Sequence, residues 1–236
     1  MMTRPKARTR IAALTLAALV PTASAWTPAF ACGNPLESVG IEHNVYLGCL
    51  MRDGGDTSVS QLQRLVEECG FNPGTSTEEF VARYSPLVEV DPYLTVAQRM
   101  APYRDSYTAY QFSYFTRIDQ VIAAAQSTAE ADAEFAQLET EAIEHLSTST
   151  AAEQSIFAAL STARHSLQYW SKATEGTPVL ATKARAERKL GKFWKVLIVV
   201  GADLAGAAGG TLIGGPIVGA AAASGSSGGA AVVLRD

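Results

Sequence analysis

Histidine and cysteine are scarce in this chain, three of each among 236 residues, and that scarcity removes most catalytic and metal chemistry at the outset. His43 has no second histidine at ligand spacing, and neither H-E-x-x-H nor a Glu-x-x-His pair occurs. Glu141 and His145 stand four apart, but with Glu139 and Glu144 beside them they read as a solvated acidic helix face. There is no G-x-S-x-G elbow, P-loop or dinucleotide fingerprint. Gly209-Gly210 and Gly214-Gly215 lie in an apolar run with no following Lys-Ser or Lys-Thr to hold a phosphate. No catalytic residue, cofactor-binding residue or metal ligand is therefore assigned. Also missing is any useful stretch of alternating apolar and polar residues, which excludes an ordinary half-buried strand.

Basic charge is short as well. The chain has 19 Lys and Arg against 23 Asp and Glu, and its sign is unevenly placed. From Trp26 to Thr182 there are 20 acidic and 8 basic residues, net −12; from Lys183 onward there are 3 acidic and 7 basic, net +4. A body this acidic is no nucleic-acid binder, whose basic patch would dominate. The basic end can dock on the acidic body, steer toward an anionic membrane, or both.

What is present begins with a leader. Arg4, Lys6, Arg8 and Arg10 precede an apolar stretch from Ile11 to Val20, broken by Pro21, and Ala23-Ser24-Ala25 offers a cleavage site before Trp26. This reads as a signal peptide over residues 1–25 of an exported protein, periplasmic, envelope-associated or secreted. Ala29-Phe30-Ala31 offers a later cleavage site, and a lipidated Cys32 is an alternative fate for that position.

Residues 26–182 read as an acidic helical domain. Asn34-Pro35-Leu36-Glu37 starts a helix, with Leu36, Val39, His43, Leu47 and Leu50 on one face. His43 is then a partly buried histidine bonded to a carbonyl or carboxylate, or alternatively a ligand or general base. Further starts fall at Ser58, Ser76, Ser127 and Thr150. The spacing predicts helices near 57–69, from Ser76 to just before Pro86, a short one from Asp91 to Met100, one from Pro102 to Gln126, and one on either side of the turn at 147–150. The long fifth helix carries a stripe through Tyr103, Tyr107, Tyr110, Tyr114, Ile118 and Val121. The fold class is all-α: a multi-helix bundle with a Gly/Ala-rich apolar C-terminal helical hairpin.

That hairpin is the most distinctive part. A basic amphipathic helix over 183–195 ends in Lys192, Phe193, Trp194 and Lys195, an arrangement suited to an interfacial anchor. It leads into the tail, 196–236, whose apolar run Val196 to Ala223 has Asp203 as its single charge. Gly206, Gly210 and Gly214 recur every fourth residue and clear one helix face for close approach of another backbone. Pro216 divides the run into helices near 196–209 and 217–223, and Gly225 to Gly229 reads as a flexible finish. The tail pairs with another helix, through self-association or against an anionic membrane, or packs within the soluble bundle. Asp203 argues against a simple span, since a charge at mid-bilayer costs about 3 kcal/mol on insertion scales.

Cys32, Cys49 and Cys69 remain after leader removal. If helices 35–52 and 57–69 ran antiparallel around a tight turn, Cys69 would lie level with Gly40, roughly 13 Å along the axis from Cys49. That exceeds the ~7 Å Cα limit of a bridge. The register thus favours Cys32–Cys69 with Cys49 a buried thiol; the alternative is no bridge.

The block Asn34-Pro35-x-x-x-Val39-Gly40-x-x-His43-Asn44-x-x-Leu47 resembles the opening of uncharacterised exported bacterial proteins that read N-P-Y-D-x-V-G-x-x-H-N-x-x-L. Their glycine-rich ending, A-D-x-x-G-A-x-x-G, is similar to Ala202-Asp203-Leu204-Ala205-Gly206-Ala207-Ala208-Gly209. Leu36 and Glu37 depart from the pattern, and the middle of the chain is unmatched. The resemblance implies an exported α-helical protein and places His43, Asn44 and Asp203 in one structural plan, without bringing an activity. The glycine-stepped tail also resembles those of pore-forming bacteriocins and glycine-zipper envelope proteins.

Overall fold

In the computed structural model, the structure describes residues 33–52, 60–175 and 191–231. These contain nine α-helices, one 3-10 helix and no strand. The leader, Cys32 and residues 183–190 of the basic segment lie outside them.

Two helices form the centre. Helix α8 (Lys192–Gly214) and helix α9 (Pro216–Ala230) fold back on each other through Gly215, whose φ of 84° suits glycine. Glycine then allows the two backbones to close. A Cβ built on Gly206 would stand 2.8 Å from the Ala222 carbonyl oxygen and 2.9 Å from Ala223 Cα. One on Gly210 would stand 2.9 Å from Gly219 Cα, and one on Gly214 would meet Val218 and the Tyr84 hydroxyl. Pro216 divides the run where the sequence predicts, but both helices are longer than expected.

The other helices jacket this pair. Helix α7 (Ala151–Glu175) packs along α8, and α1 (Glu37–Leu50) packs against α7 and α9. Helices α2 (Gln61–Glu67) and α3 (Thr77–Val88) cover α9, with α3 also reaching α8. Helices α4 (Val96–Met100) and α5 (Ala109–Ala124) lie against α8, while α6 (Thr128–His145) backs α7. The caps are local: Ser76, Ser127 and Thr150 accept from the backbone N–H three residues on.

Several expectations change. Gly225 to Gly229 is helix rather than a flexible finish: Gly225 lies against Leu62 and Val88, and Ser226 and Ser227 are buried. Trp170 Nε1 donates to Ser227 Oγ, which ties this polar stretch to α7. Helix α3 runs through Pro86 because Leu87 and Val88 anchor its last turn in the core. The predicted helix from Pro102 is broken at Tyr107. A 3-10 helix (Ala101–Ser106) precedes it, and Thr108 with Gln111 makes a reciprocal capping box that starts α5 afresh. The tyrosine stripe splits accordingly: Tyr107 and Tyr114 are buried, whereas Tyr110 faces solvent.

The expected Cys32–Cys69 bridge is replaced by Cys49–Cys69, with Cα atoms 5.8 Å apart. The predicted register assumed a second helix that runs back along the first from residue 57. Instead α2 starts at Gln61 and crosses the C-terminal end of α1, where Arg64 Nη1 donates to the Leu50 carbonyl. Cys69 lies past the end of α2, and Phe71 returns to the core edge-on to Tyr46. Cys49 is therefore no free thiol.

Candidate functional site

The residues marked by the sequence meet in a buried polar layer where α1, α7, α8 and α9 converge. Their spacing explains the placement. His43 is on the same face of α1 as Val39 and Leu47, and Asp203 sits on α8 between the apolar residues Val199 and Ala207. His43 Nε2 lies 3.5 Å from Asp203 Oδ2, both side chains being 0% exposed. Ser166 of α7 donates to the same carboxylate oxygen at 2.5 Å. Ser224 of α9 donates to the His43 carbonyl at 3.0 Å.

Asn44 decides the histidine's tautomer. Its amide nitrogen donates to the His165 carbonyl at 3.0 Å, so its oxygen faces His43 Nδ1, also at 3.0 Å. A carbonyl oxygen only accepts, which fixes a proton on Nδ1 and turns Nε2 toward Asp203. Arg99, on α4 and 5% exposed, is a buried charge within electrostatic reach of Asp203. Burial lowers its pKa from the ordinary guanidinium value, and the charges of Asp203 and Asp91 pull it back up. Its own hydrogen bonds go to the Asp91 and Leu94 carbonyls.

The order of the groups limits what they can do. A nucleophilic serine needs the imidazole next to its hydroxyl, with the carboxylate behind. Here the carboxylate stands between them, Ser166 donates its hydrogen bond to Asp203, and the His43 and Asp203 side chains are at zero exposure. The arrangement orients and joins four helices. Around it, Asn34 donates to Glu139 and to the Phe157 carbonyl, Glu139 pairs with Arg164, and Glu37 pairs with His165. Among the described residues no group of His, Cys, Asp and Glu could hold a metal ion.

The tail residues occupy two settings. Gly206 and Gly210 are buried at the α8–α9 contact, and Gly214 closes that face at the exposed tip. Helix α8 is long and apolar enough to cross a membrane, yet 83% of its apolar window is buried inside the protein. At the start of α8, Lys192 and Trp194 are exposed while Phe193 and Lys195 are half-buried. Phe193 packs on the main core cluster.

Trp194 also borders a broad apolar opening near the tail. A groove of about 250 Å³ runs between the Pro92–Val96 segment, α5 and α8, walled by Ile122, Leu197 and Ile198. Tyr93, Leu94 and Trp194 form its rim, exposed by 62%, 37% and 37%. Sequence reasoning misses this groove because its three walls are far apart in the chain. It also misses Ser166 and Arg99. The row of hydroxyls Ser155, Thr162 and Ser166 on one buried face of α7 is the signal that could have found the former. Arg99 looks like any exposed helix cation until its burial is known.

No protein family, curated protein or solved structure matches the chain. The functional reading rests on the geometry.

Proposed function

We propose that this protein is an exported, self-contained helical module of a binding or structural kind, in which the Gly/Ala-rich tail serves as the core of the fold instead of a membrane anchor. The observation that carries the reading is the backbone contact of α8 with α9 at Gly206 and Gly210. A helix so rich in glycine is weak alone, because each Gly costs about 1 kcal/mol relative to Ala. It requires a cover, and α3, α4, α5 and α7 supply one around α8. Asp203, the charge that would oppose burial in lipid, accepts from Ser166 inside the bundle.

Truncation tests this. A chain that ends after Lys195 loses cooperative urea unfolding, while the mature chain neither leaks nor floats with anionic vesicles. A truncated chain that unfolds as cooperatively as the full one contradicts the reading.

A membrane-active reading has one observation in its favour. The hairpin tip is apolar: Ile217 is 60% exposed, and Ile213, Pro216 and Val218 are half-buried. No charge occurs between Asp203 and Arg235. Release of an entrapped dye from anionic liposomes would favour this reading over the first.

A further inference from the structure

We propose that the Cys49–Cys69 bridge is a redox-operated clamp: once a dithiol reduces it, α2 opens away from α9 while the rest of the bundle stays folded. Such control goes beyond the module reading and is independent of what the module binds.

Helix α2 has little to hold it by itself. It is seven residues long, below the length at which a helix persists alone, and the Ser60 side chain makes no cap bond to its first turn. It stands because Leu62 and Leu65 are fully buried in the cluster with Leu50, Phe71 and Phe80, and because Arg64 Nη1 donates to the Leu50 carbonyl. Its seat on α9 is made of glycine. A Cβ on Gly225 would stand 3.2 Å from Leu62 Cδ2, and one on Gly228 would stand 2.8 Å from Gln61 Oε1. At these two positions α9 offers no side chain to interlock with α2. Gln61 Oε1 is buried in that seat and accepts no hydrogen bond among the described residues. Closing α2 therefore costs a desolvated acceptor that opening returns to water.

The bridge supplies what this contact lacks. Cys49 lies in the last turn of α1 and Cys69 just past α2, 20 positions on. The bond keeps the C-terminal end of α2 beside α1 even when the other contacts of α2 break, so opening gains little chain entropy. Without it the same opening frees the whole loop, and the closure entropy of a loop of this size shifts the opening equilibrium by about a hundredfold. Both cysteines are only half-buried, which leaves the bridge near the surface. A thiolate of the dithiol attacks one sulfur to give a mixed disulfide and releases the other cysteine. The second thiol of the reagent then displaces the remaining cysteine. The bridge takes up two electrons and two protons, and the dithiol leaves as its own disulfide. The other helices keep their contacts: α8 and α9 meet at Gly206 and Gly210, α7 packs along α8, and Ser224 ties α9 to the His43 carbonyl. Opening is then local, and it uncovers Gly228 and the apolar side of α2.

Native-state amide hydrogen exchange of the mature protein, oxidised and after treatment with dithiothreitol, at a series of low urea concentrations tests the clamp. Amides of Arg64–Glu68 are expected to exchange about a hundredfold faster on reduction. Their rates in the reduced protein should be nearly independent of urea, because local opening exposes little surface. Amides of Ile156–Leu167 should keep the steep urea dependence of global unfolding. The double variant Cys49→Ala, Cys69→Ala should reproduce the reduced pattern without reagent, and reoxidation of the parent should restore slow exchange. Unchanged exchange of Arg64–Glu68 on reduction overturns the proposal. So does a urea dependence there as steep as that of α7, since the bridge would then contribute only to global stability. Loss of the helical circular dichroism on reduction also overturns it, because the bridge would then hold the whole bundle. Each of these outcomes is distinct from the truncation result that tests α8 and α9 as the core.

Discussion

Asp203 is the residue on which the interior turns, because it is the one charge in a helix that is otherwise apolar past Lys195. Removing its side chain takes the acceptor away from the buried Ser166 hydroxyl and empties the space beside His43 Nε2. Leaving a buried donor unsatisfied costs about 1–3 kcal/mol. Asparagine is a different case. Its oxygen can accept from Ser166, and its amide can donate to His43 Nε2, the nitrogen that Asn44 leaves without a proton in neutral imidazole. Asp203→Ala should therefore lower the urea midpoint severely and Asp203→Asn by about a third as much. Equal losses would show that the layer is filled space and not a directed set of hydrogen bonds. At this scale the sequence says that His43 and Asp203 are special and gives both an apolar context. It does not say that they touch, because 160 residues separate them and only the packing of α1 beside α8 and α9 brings them together.

Elements were legible where their signals are local. Ser76, Ser127 and Thr150 announce helix starts through hydroxyls that accept the third N–H onward, and Pro216 marks the hairpin turn. The errors have a common cause. Pro86 looks like a stop and Gly225–Gly229 looks like a loop by propensity, but buried neighbours hold both in helix. The Cys49–Cys69 bridge was hidden by an assumed hairpin register that the short α2 does not follow. Glycine packing gives a sharp test at this scale. Gly210→Ala places a Cβ 2.8 Å from Ala222 Cβ and 2.9 Å from Gly219 Cα, so backbone must move. It should destabilise by about 2 kcal/mol, the usual range for overpacking, in spite of alanine's better helix propensity. Gly201→Ala is the control: its nearest neighbour would be Ile122 at 3.4 Å, ordinary contact. That variant should be neutral or gain up to about 1 kcal/mol. A lowered midpoint for Gly210→Ala beside an unchanged or raised one for Gly201→Ala is the expected signature by thermal unfolding; two neutral substitutions would mean that α8 and α9 do not approach as closely as described.

At the scale of the molecule, the all-α class and the apolar hairpin follow from composition and helical periodicity, but the place of the hairpin does not. A glycine-stepped run is equally suited to lipid or to a protein interior, since both offer apolar surroundings and reward close backbone contact. The decision belongs to the rest of the chain: amphipathic helices numerous enough to enclose α8 and a partner set for Asp203. Native-state amide hydrogen exchange of the mature protein in lipid-free buffer reads this directly. Amides of Val196–Thr211 and Gly219–Ser227 should exchange only by global unfolding and be among the slowest in the protein, as slow as those of Ile156–Leu167 in α7. Exchange of the hairpin at the rate of exposed loops, while α7 stays protected, would contradict the claim that the tail is the core.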